Sequence, residues 1–219
     1  MTDTTQHHVL VVDDHPLFRK GVVQLLQLEP SFIVDGEAGT YEEAIEKFEQ
    51  FHPGLVLLDL NMKGTNGIEI LSAIKSRDPS TRVIMLTVSD NPTDLVQAIR
   101  SGVDGYLLKD QDPDEILSKI KMAVEGKTVL SPQLMSALSA SLKQDDNAFA
   151  KRELKELTNR EIAVLQCIAK GMSNKAIARE LDISDGTVKV HVKHVLRKLS
   201  FRSRVEAAVW MAEKEREGK

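Results

Sequence analysis

Four short apolar runs in the first part of the chain each end in a residue able to do chemistry. Val9–Val12 is followed by Asp13 and Asp14, Leu55–Leu58 by Asp59, Arg82–Leu86 by Thr87, and Gly105–Leu108 by Lys109. Three carboxylates gathered at one place need a cation, since two of them about 4 Å apart repel by about 4 kcal/mol at an effective dielectric near 20. Mg2+ takes hard oxygen ligands and keeps several of its waters, so it suits such a set. A carboxylate beside it can attack phosphorus and carry the phosphoryl group as an acyl phosphate. Lys109 would offset charge on the transferring group, and Thr87 would donate a hydrogen bond to one of its oxygens. Singly, each residue has an ordinary reading: Asp13-Asp14 as a helix cap, Thr87 as a strand-end cap, Lys109 as a solvated amine. Their conjunction at four strand ends is what points to chemistry. His15, next to Pro16, reads as the start of a helix rather than as a metal ligand.

The elements that must position these groups alternate between strand and helix. Helical periodicity follows each apolar run: His15–Leu28 (Leu17, Val22, Leu25 and Leu26 on one side), Tyr41–Phe51 (Ala44, Ile45 and Phe48 inward), Ile68–Lys75, Thr93–Ser101 closed by Gly102, and Pro113–Val124. Phe32–Glu37 adds a weaker strand. Continuous apolar strands between amphipathic helices imply an α/β fold, a doubly wound five-stranded parallel sheet covered on both faces, over residues 1–130. In such sheets ligands bind beyond the carboxyl ends of the strands, where the reactive residues lie.

Charge separates the two halves. The whole chain has a net charge of −4, but residues 1–130 carry 12 basic and 21 acidic residues, net −9, while residues 158–219 carry 13 and 8, net +5. A basic half on an acidic chain suggests a nucleic-acid partner for that half. At 42% hydrophobic and 28% charged residues, the chain has the apolar content to bury real cores. The single cysteine, Cys167, excludes a disulfide framework or a Cys-rich zinc site and reads as a core thiol. The segment MTDTTQHH lacks the features of a secretory leader, and no apolar run reaches the length of a membrane span, so a cytoplasmic protein without membrane contact is expected.

Residues 131–153 read as a linker with a short helix, Pro132–Leu142. Residues 154–219 read as a small all-α helix-turn-helix domain. Thr158 and Glu161 have the spacing of a capping box for a first helix with Ile162, Leu165 and Ile168 inward, and Gly171 closes it. Ser173 opens a short helix, Asn174–Leu181, and Ser184 caps Asp185–Leu199 after a turn of Asp182, Ile183 and Ser184. At about 100° per residue, Val188, Val192, Val195 and Leu199 share one stripe, while Lys189, Val190, Lys193 and Arg197 lie roughly opposite. Arg202 and Arg204 extend the basic patch. His191 and His194 have no further ligands near them in sequence, so phosphate contact or packing is the expected role. Val205, Ala208, Val209 and Ala212 form a small-residue stripe on a last helix, Arg204–Glu213, which permits either close approach of a second helix or packing within the domain.

The motifs VVDDHP, LLDLNMKG, MLTVSD and GYLLKD resemble the receiver domain of two-component response regulators, a flavodoxin-like fold, over about residues 8–127. The stretch LTNREIAVLQCIAKGMSNKAIARELDISDGTVKVHVKHVLRKL is similar to the LuxR/NarL/FixJ-type DNA-binding domain, over about residues 154–216, and the whole chain most resembles the nitrate/nitrite-responsive branch of that family. The resemblance implies Asp59 as phosphoacceptor for a sensor histidine kinase. It implies Asp13, Asp14, Asp59 and the backbone carbonyl of Asn61 as Mg2+ ligands, and Thr87, Tyr106 and Lys109 as the phosphoryl-responsive set. It also implies Lys189, Val190 and Lys193, with Thr187, Arg197 and Lys175, as contacts to promoter DNA, and a homodimer paired through Val205, Ala208, Val209 and Ala212. Two positions depart from the common receiver pattern: Met62-Lys63-Gly64 has no proline after the methionine, and Asp110 follows the lysine where many receivers have proline. Neither removes a chemical group. The competing enzymatic reading, a Mg2+-dependent phosphohydrolase, needs an acid/base Asp two residues after the nucleophile; Asn61 stands there and cannot transfer protons. A non-enzymatic regulator, at most self-phosphorylating from a donor and self-dephosphorylating, is therefore expected.

Overall fold

The computed structural model describes residues 6–78, 81–89, 91–127, 129 and 152–217. Strands β1 (His7–Val12), β2 (Phe32–Ala38), β3 (Leu55–Leu58), β6 (Arg82–Thr87) and β7 (Gly105–Leu108) form one sheet in the order β2-β1-β3-β6-β7. The β1–β2, β1–β3 and β3–β6 pairs are parallel. Parallel neighbours require crossovers, which α1 (Pro16–Gln27), α2 (Tyr41–Phe51), α3 (Gly67–Arg77) and α4 (Pro92–Arg100) supply, with α5 (Pro113–Val124) after the last strand. All four residues of β3 are buried, as are Val9–Val12, which is why these runs are apolar without alternation.

Helices α2, α3 and α4 start where side chains can satisfy the free backbone N–H groups. The Thr40 hydroxyl accepts from Glu43 N, and Asn66 and Asn91 accept from Ile68 N and Thr93 N. Gly102, at φ +99°, follows the end of α4 in a conformation that suits glycine. The inward stripe of α1 differs from the one expected: Val22 and Leu26 are buried, but Leu17 is 89% exposed. Leu17 lies five positions before Val22, about 140° round the helix, so it cannot share that face; Phe18, four before Val22, does. A two-stranded hairpin, β4 (Asn61–Met62) with β5 (Thr65–Asn66), follows Asp59 and was not evident from periodicity, being too short to show any.

The chain divides into two compact units, Met1–Ser89 with Tyr106–Val124, and Asp90–Gly105 with Glu125–Lys219. The second contains a helical bundle: α6 (Asn159–Ala169), α7 (Asn174–Glu180), α8 (Asp185–Lys198) and α9 (Arg204–Glu217), preceded by a 3-10 turn at Leu154–Glu156. The capping box at α6 forms as the spacing predicts, with Thr158 and Glu161 bonded reciprocally. Gly171, at φ +72°, ends the α6 segment, and Asp182, at φ +50°, makes the turn between α7 and α8. One core cluster holds Leu157, Leu165, Val195, Leu199, Phe201, Ala207, Trp210 and Met211. The other holds Val164, Cys167, Ile168, Ile177, Val188 and Ala208. Cys167 is thus a core thiol, and burial pushes its pKa up. The linker helix expected at Pro132–Leu142 lies outside the described residues.

Candidate functional site

The strand ends converge. Beyond β1, Asp13 N donates to Ala38 O; beyond β3, Asp59 N donates to Val12 O; beyond β7, Lys109 N donates to Thr87 O. Each reactive residue therefore sits one step past a strand, on backbone still tied to its neighbour, which fixes where its side chain points. Lys109 Nζ lies 2.7 Å from Asp13 Oδ2 and 2.7 Å from Asp59 Oδ2, and the three side chains are 8%, 4% and 2% exposed. Asp13 Oδ1 accepts from His15 N at 2.8 Å, so the same carboxylate that meets Lys109 also holds the residue that precedes α1. Asp59 Oδ1 accepts from Asn61 N at 3.3 Å. Burial raises the pKa of Asp59; Lys109 and the Asn61 N–H oppose that shift, and the neighbouring Asp13 charge adds to it.

Asp14 Oδ2 accepts from Lys63 N at 2.9 Å, which ties the site to the β4–β5 hairpin. Its other oxygen, Oδ1, is buried with no hydrogen-bond partner. His15 Nδ1 is 2.8 Å from that oxygen but outside hydrogen-bonding geometry. Asp13, Asp14, His15 and Asp59 each offer a ligand atom within 4.8 Å of the others. Three buried carboxylates against one ammonium leave an excess of negative charge, and an orphaned carboxylate oxygen faces into the cluster. A divalent cation with oxygen preference fits this donor set.

Thr87 is fully buried; its Oγ1 accepts from Ser89 N at 3.0 Å and lies 3.5 Å from Asn61 Nδ2. Tyr106 is 1% exposed and its hydroxyl donates to Ser89 O at 3.0 Å. Thr87 and Tyr106 therefore meet at one residue, Ser89. Three contributors escaped the sequence reading. Phe18 places its ring face 4.5 Å from Lys109 Nζ. Arg19 donates through Nη1 to Asp13 O and pairs through Nε with Glu37 Oε2 at 3.3 Å. Gly67 packs against the Asp59 backbone. Only Phe18 and Arg19 had a signal available, an aromatic and a cation within five residues of Asp14.

In the helical bundle the two faces of α8 separate as their spacing requires. Val188 and Val195 are fully buried and Leu199 nearly so, with Val192 half-buried. Thr187, Lys189, Val190, Lys193 and Arg197 are exposed, as is Lys175 on α7. The Thr187 hydroxyl lies 2.8 Å from Ser184 Oγ, and Lys189 Nζ pairs with Asp185 Oδ2 at 2.9 Å. Glu161, 4% exposed, receives Lys198 Nζ at 2.7 Å and stands 3.7 Å from His194 Nδ1, which ties α6 to the end of α8. Burial alone would raise the pKa of Glu161, but Lys198 and the Thr158 N–H and hydroxyl together hold it down to about 2.

Arg204, expected in the exposed basic patch, instead donates to Asn174 Oδ1 at 2.8 Å and to Met172 O at 2.6 Å, so its charge braces α9 against the α7 region. Arg202 is exposed. Of the small-residue stripe on α9, Val205, Ala208 and Val209 are buried and Ala212 half-buried, and Ala208 belongs to the bundle's own core.

A parallel sheet with an acidic pocket at its strand ends, carried on the same chain as a helix-turn-helix, defines a DNA-binding response regulator. Residues 9–121 match the response regulator receiver domain and residues 155–211 the bacterial regulatory proteins of the luxR family. The chain is 47% identical over 203 residues, 93% of its length and 94% of the relative's, to the nitrate/nitrite response regulator protein NarL of Escherichia coli K12. It is 43% identical over 211 residues, 95% and 96% of the two chains, to NarP of the same strain. A LuxR-family two-component response regulator from Aurantimonas sp. SI85-9A1 superposes with a TM-score of 0.58 at 28% identity, over 62% of this chain and 97% of that one. The chain belongs to the NarL/LuxR family of two-component response regulators. Among the described residues, no helix is long and apolar enough to cross a membrane.

Proposed function

We propose that this chain is a cytoplasmic, phosphorylation-controlled transcription factor of nitrate/nitrite-responsive regulation, with a receiver over 1–130, a linker over 131–153 and a DNA-binding domain over 154–219. The observation that carries the reading is the Lys109 ammonium bridging Asp13 and Asp59 at 2.7 Å each, at the carboxyl ends of parallel strands. Asp59 is the phosphoacceptor for a sensor histidine kinase. One carboxylate oxygen of Asp59 forms the new bond to phosphorus as the bond from phosphorus to the kinase imidazole breaks, and the leaving nitrogen takes a proton. Small phosphodonors serve the same oxygen, with acetate leaving from acetyl phosphate.

Asp13, Asp14, Asp59 and the Asn61 carbonyl would hold Mg2+, which supplies charge neutralisation for the transferring phosphoryl group. Lys109 holds the Asp59 oxygen and neutralises charge as the phosphoryl group arrives. Thr87 gives up its contact with Ser89 N to donate its hydroxyl to a phosphoryl oxygen. Tyr106, bonded to the same residue, follows that change and relays it.

On the basic domain, Lys189, Val190 and Lys193 would meet base edges in the major groove, with Thr187, Arg197 and Lys175 on phosphates. Their exposure on one face of α8 and at α7 supports this. Two copies pair along α9 when the chain is phosphorylated or bound to DNA, beginning from the half-buried Ala212; Val205, Ala208 and Val209, buried in the single chain, reach a partner only once α9 is uncovered. The identity of 47% to the E. coli nitrate/nitrite regulator over nearly the whole chain supports the signal assignment.

The test is chemical: treat the full chain with acetyl phosphate and Mg2+, reduce the acyl phosphate with borohydride, and map the product by mass spectrometry. Conversion of Asp59 to homoserine is expected. Modification at another residue, or none, overturns the assignment.

A further inference from the structure

We propose that Phe18 is a positioning residue for phosphoryl transfer, holding the Lys109 ammonium over the site through the face of its aromatic ring. The inference rests on the reading of Asp59 as phosphoacceptor. Lys109 Nζ has three sides to satisfy: it meets Asp13 Oδ2 and Asp59 Oδ2 at 2.7 Å each, and the Phe18 ring covers a third at 4.5 Å from its centroid. An ammonium over an aromatic face is attracted by the ring quadrupole, more strongly where water is excluded, and the Lys109 side chain is only 8% exposed.

The ring does something the carboxylates cannot. When Asp59 accepts a phosphoryl group, its oxygen becomes part of an acyl phosphate and its own charge is lost, so the Asp59 arm of the Lys109 grip changes during the reaction. The attraction to Phe18 does not depend on the state of Asp59. It holds a long, flexible lysine in place before, during and after transfer. Phe18 is well placed for this because α1 begins at the site: Asp13 Oδ1 accepts from His15 N, and Arg19, the next residue along α1, is anchored to Asp13 O. The ring is thereby set on the same rigid segment as the carboxylate that Lys109 meets.

The test separates ring electronics from ring packing. In the full chain, Phe18 is replaced by phenylalanines bearing one, two and three ring fluorines, which keep the shape nearly constant while weakening the negative face. Initial rates of Asp59 phosphorylation from acetyl phosphate are measured with saturating Mg2+. The rate is expected to fall stepwise along the series, by about three- to tenfold at the most fluorinated member. Phe18→Leu should fall at least as far. In parallel, the Lys109 ε-methylene protons are expected to show an upfield ring-current shift in the NMR spectrum that Phe18→Leu abolishes. Equal rates across the fluorine series in a chain that is phosphorylated overturn the proposal alone, as does an unshifted Lys109 methylene. A chain that takes no phosphoryl group at Asp59 overturns the phosphoacceptor reading, and the proposed role in transfer falls with it.

Discussion

Gly67 stands directly against the backbone of Asp59: a β-carbon on Gly67 would lie 2.1 Å from the Asp59 carbonyl oxygen and 2.8 Å from Leu60 Cα. The same glycine opens α3 and donates its N–H to Leu60 O at 2.9 Å. Backbone atoms cannot swing aside as a side-chain tip can. Gly67→Ala is therefore expected to push the Asp59 segment off its strand-end position. The cost should be about 1–3 kcal/mol of stability, as for other overpacked sites, together with at least a tenfold slower phosphorylation from acetyl phosphate. Urea unfolding and a labelling time course check both, and an alanine variant of unchanged rate would show that Asp59 is not held by this contact.

Mg2+ should act as a stabilising ligand of the folded chain. At a hundred times its dissociation constant it would add about 2.7 kcal/mol to the free energy of unfolding, visible as a rise in Tm with Mg2+ and its reversal by EDTA. Asp14→Asn should blunt the rise, because it removes charge from a carboxylate whose second oxygen is buried without a hydrogen bond. An undiminished rise in that variant would take Asp14 out of the ligand set.

Glu161 makes the basic domain sensitive to acid. Burial would raise its pKa, but Lys198 and the Thr158 cap outweigh that and hold it at about 2, well below the ordinary carboxylate range. A depressed carboxylate contributes stability that is fully present above its unfolded value and is lost as pH falls through its folded one. The stability difference between the native chain and Glu161→Gln should thus be constant above about pH 5 and shrink steadily towards pH 2. Chemical unfolding at a series of pH values measures it, and a pH-independent difference would contradict the ion-pair account.

Lys193→Ala should cost about 1–3 kcal/mol in DNA affinity and relax the preference at one base position, as expected of a side chain that reads a base edge. Lys175→Ala should weaken binding evenly on all sequences and flatten the slope of log K against log salt by about 0.9, as expected of one phosphate contact. Fluorescence anisotropy across salt concentrations and single-base substitutions separates the two patterns. An even loss for Lys193→Ala would assign it to a phosphate instead.

Much of this was legible in the sequence, and the reason is local. Asp13, Asp59, Thr87 and Lys109 each follow an unbroken apolar run, and a buried parallel strand must end where the polar residue begins, so their place at the strand ends could be read directly. The caps at Thr158, Ser173 and Ser184 and the two faces of α8 follow from spacing alone. What stayed hidden depends on distance in space. Leu17 and Phe18 are adjacent apolar residues, and only the packed helix decides that Phe18 turns inward towards Lys109 while Leu17 faces out. Gly67 looks like any residue before a helix until the Asp59 carbonyl is found against it. Arg204 reads as one more surface cation, but Asn174 and Met172 O claim it. The α9 stripe was ambiguous because small residues serve a helix partner and a domain core equally well, and Ala208 fills the core.

A phosphoryl group on Asp59 is proposed to change how the basic domain engages DNA. The most direct measurement is the affinity of the full chain for a promoter duplex selected by its own occupancy, titrated with and without acetyl phosphate and Mg2+, in the native chain and in Asp59→Ala. The phosphodonor is expected to tighten binding of the native chain and to leave the variant unchanged. Equal tightening in both, or in neither, would contradict the proposal.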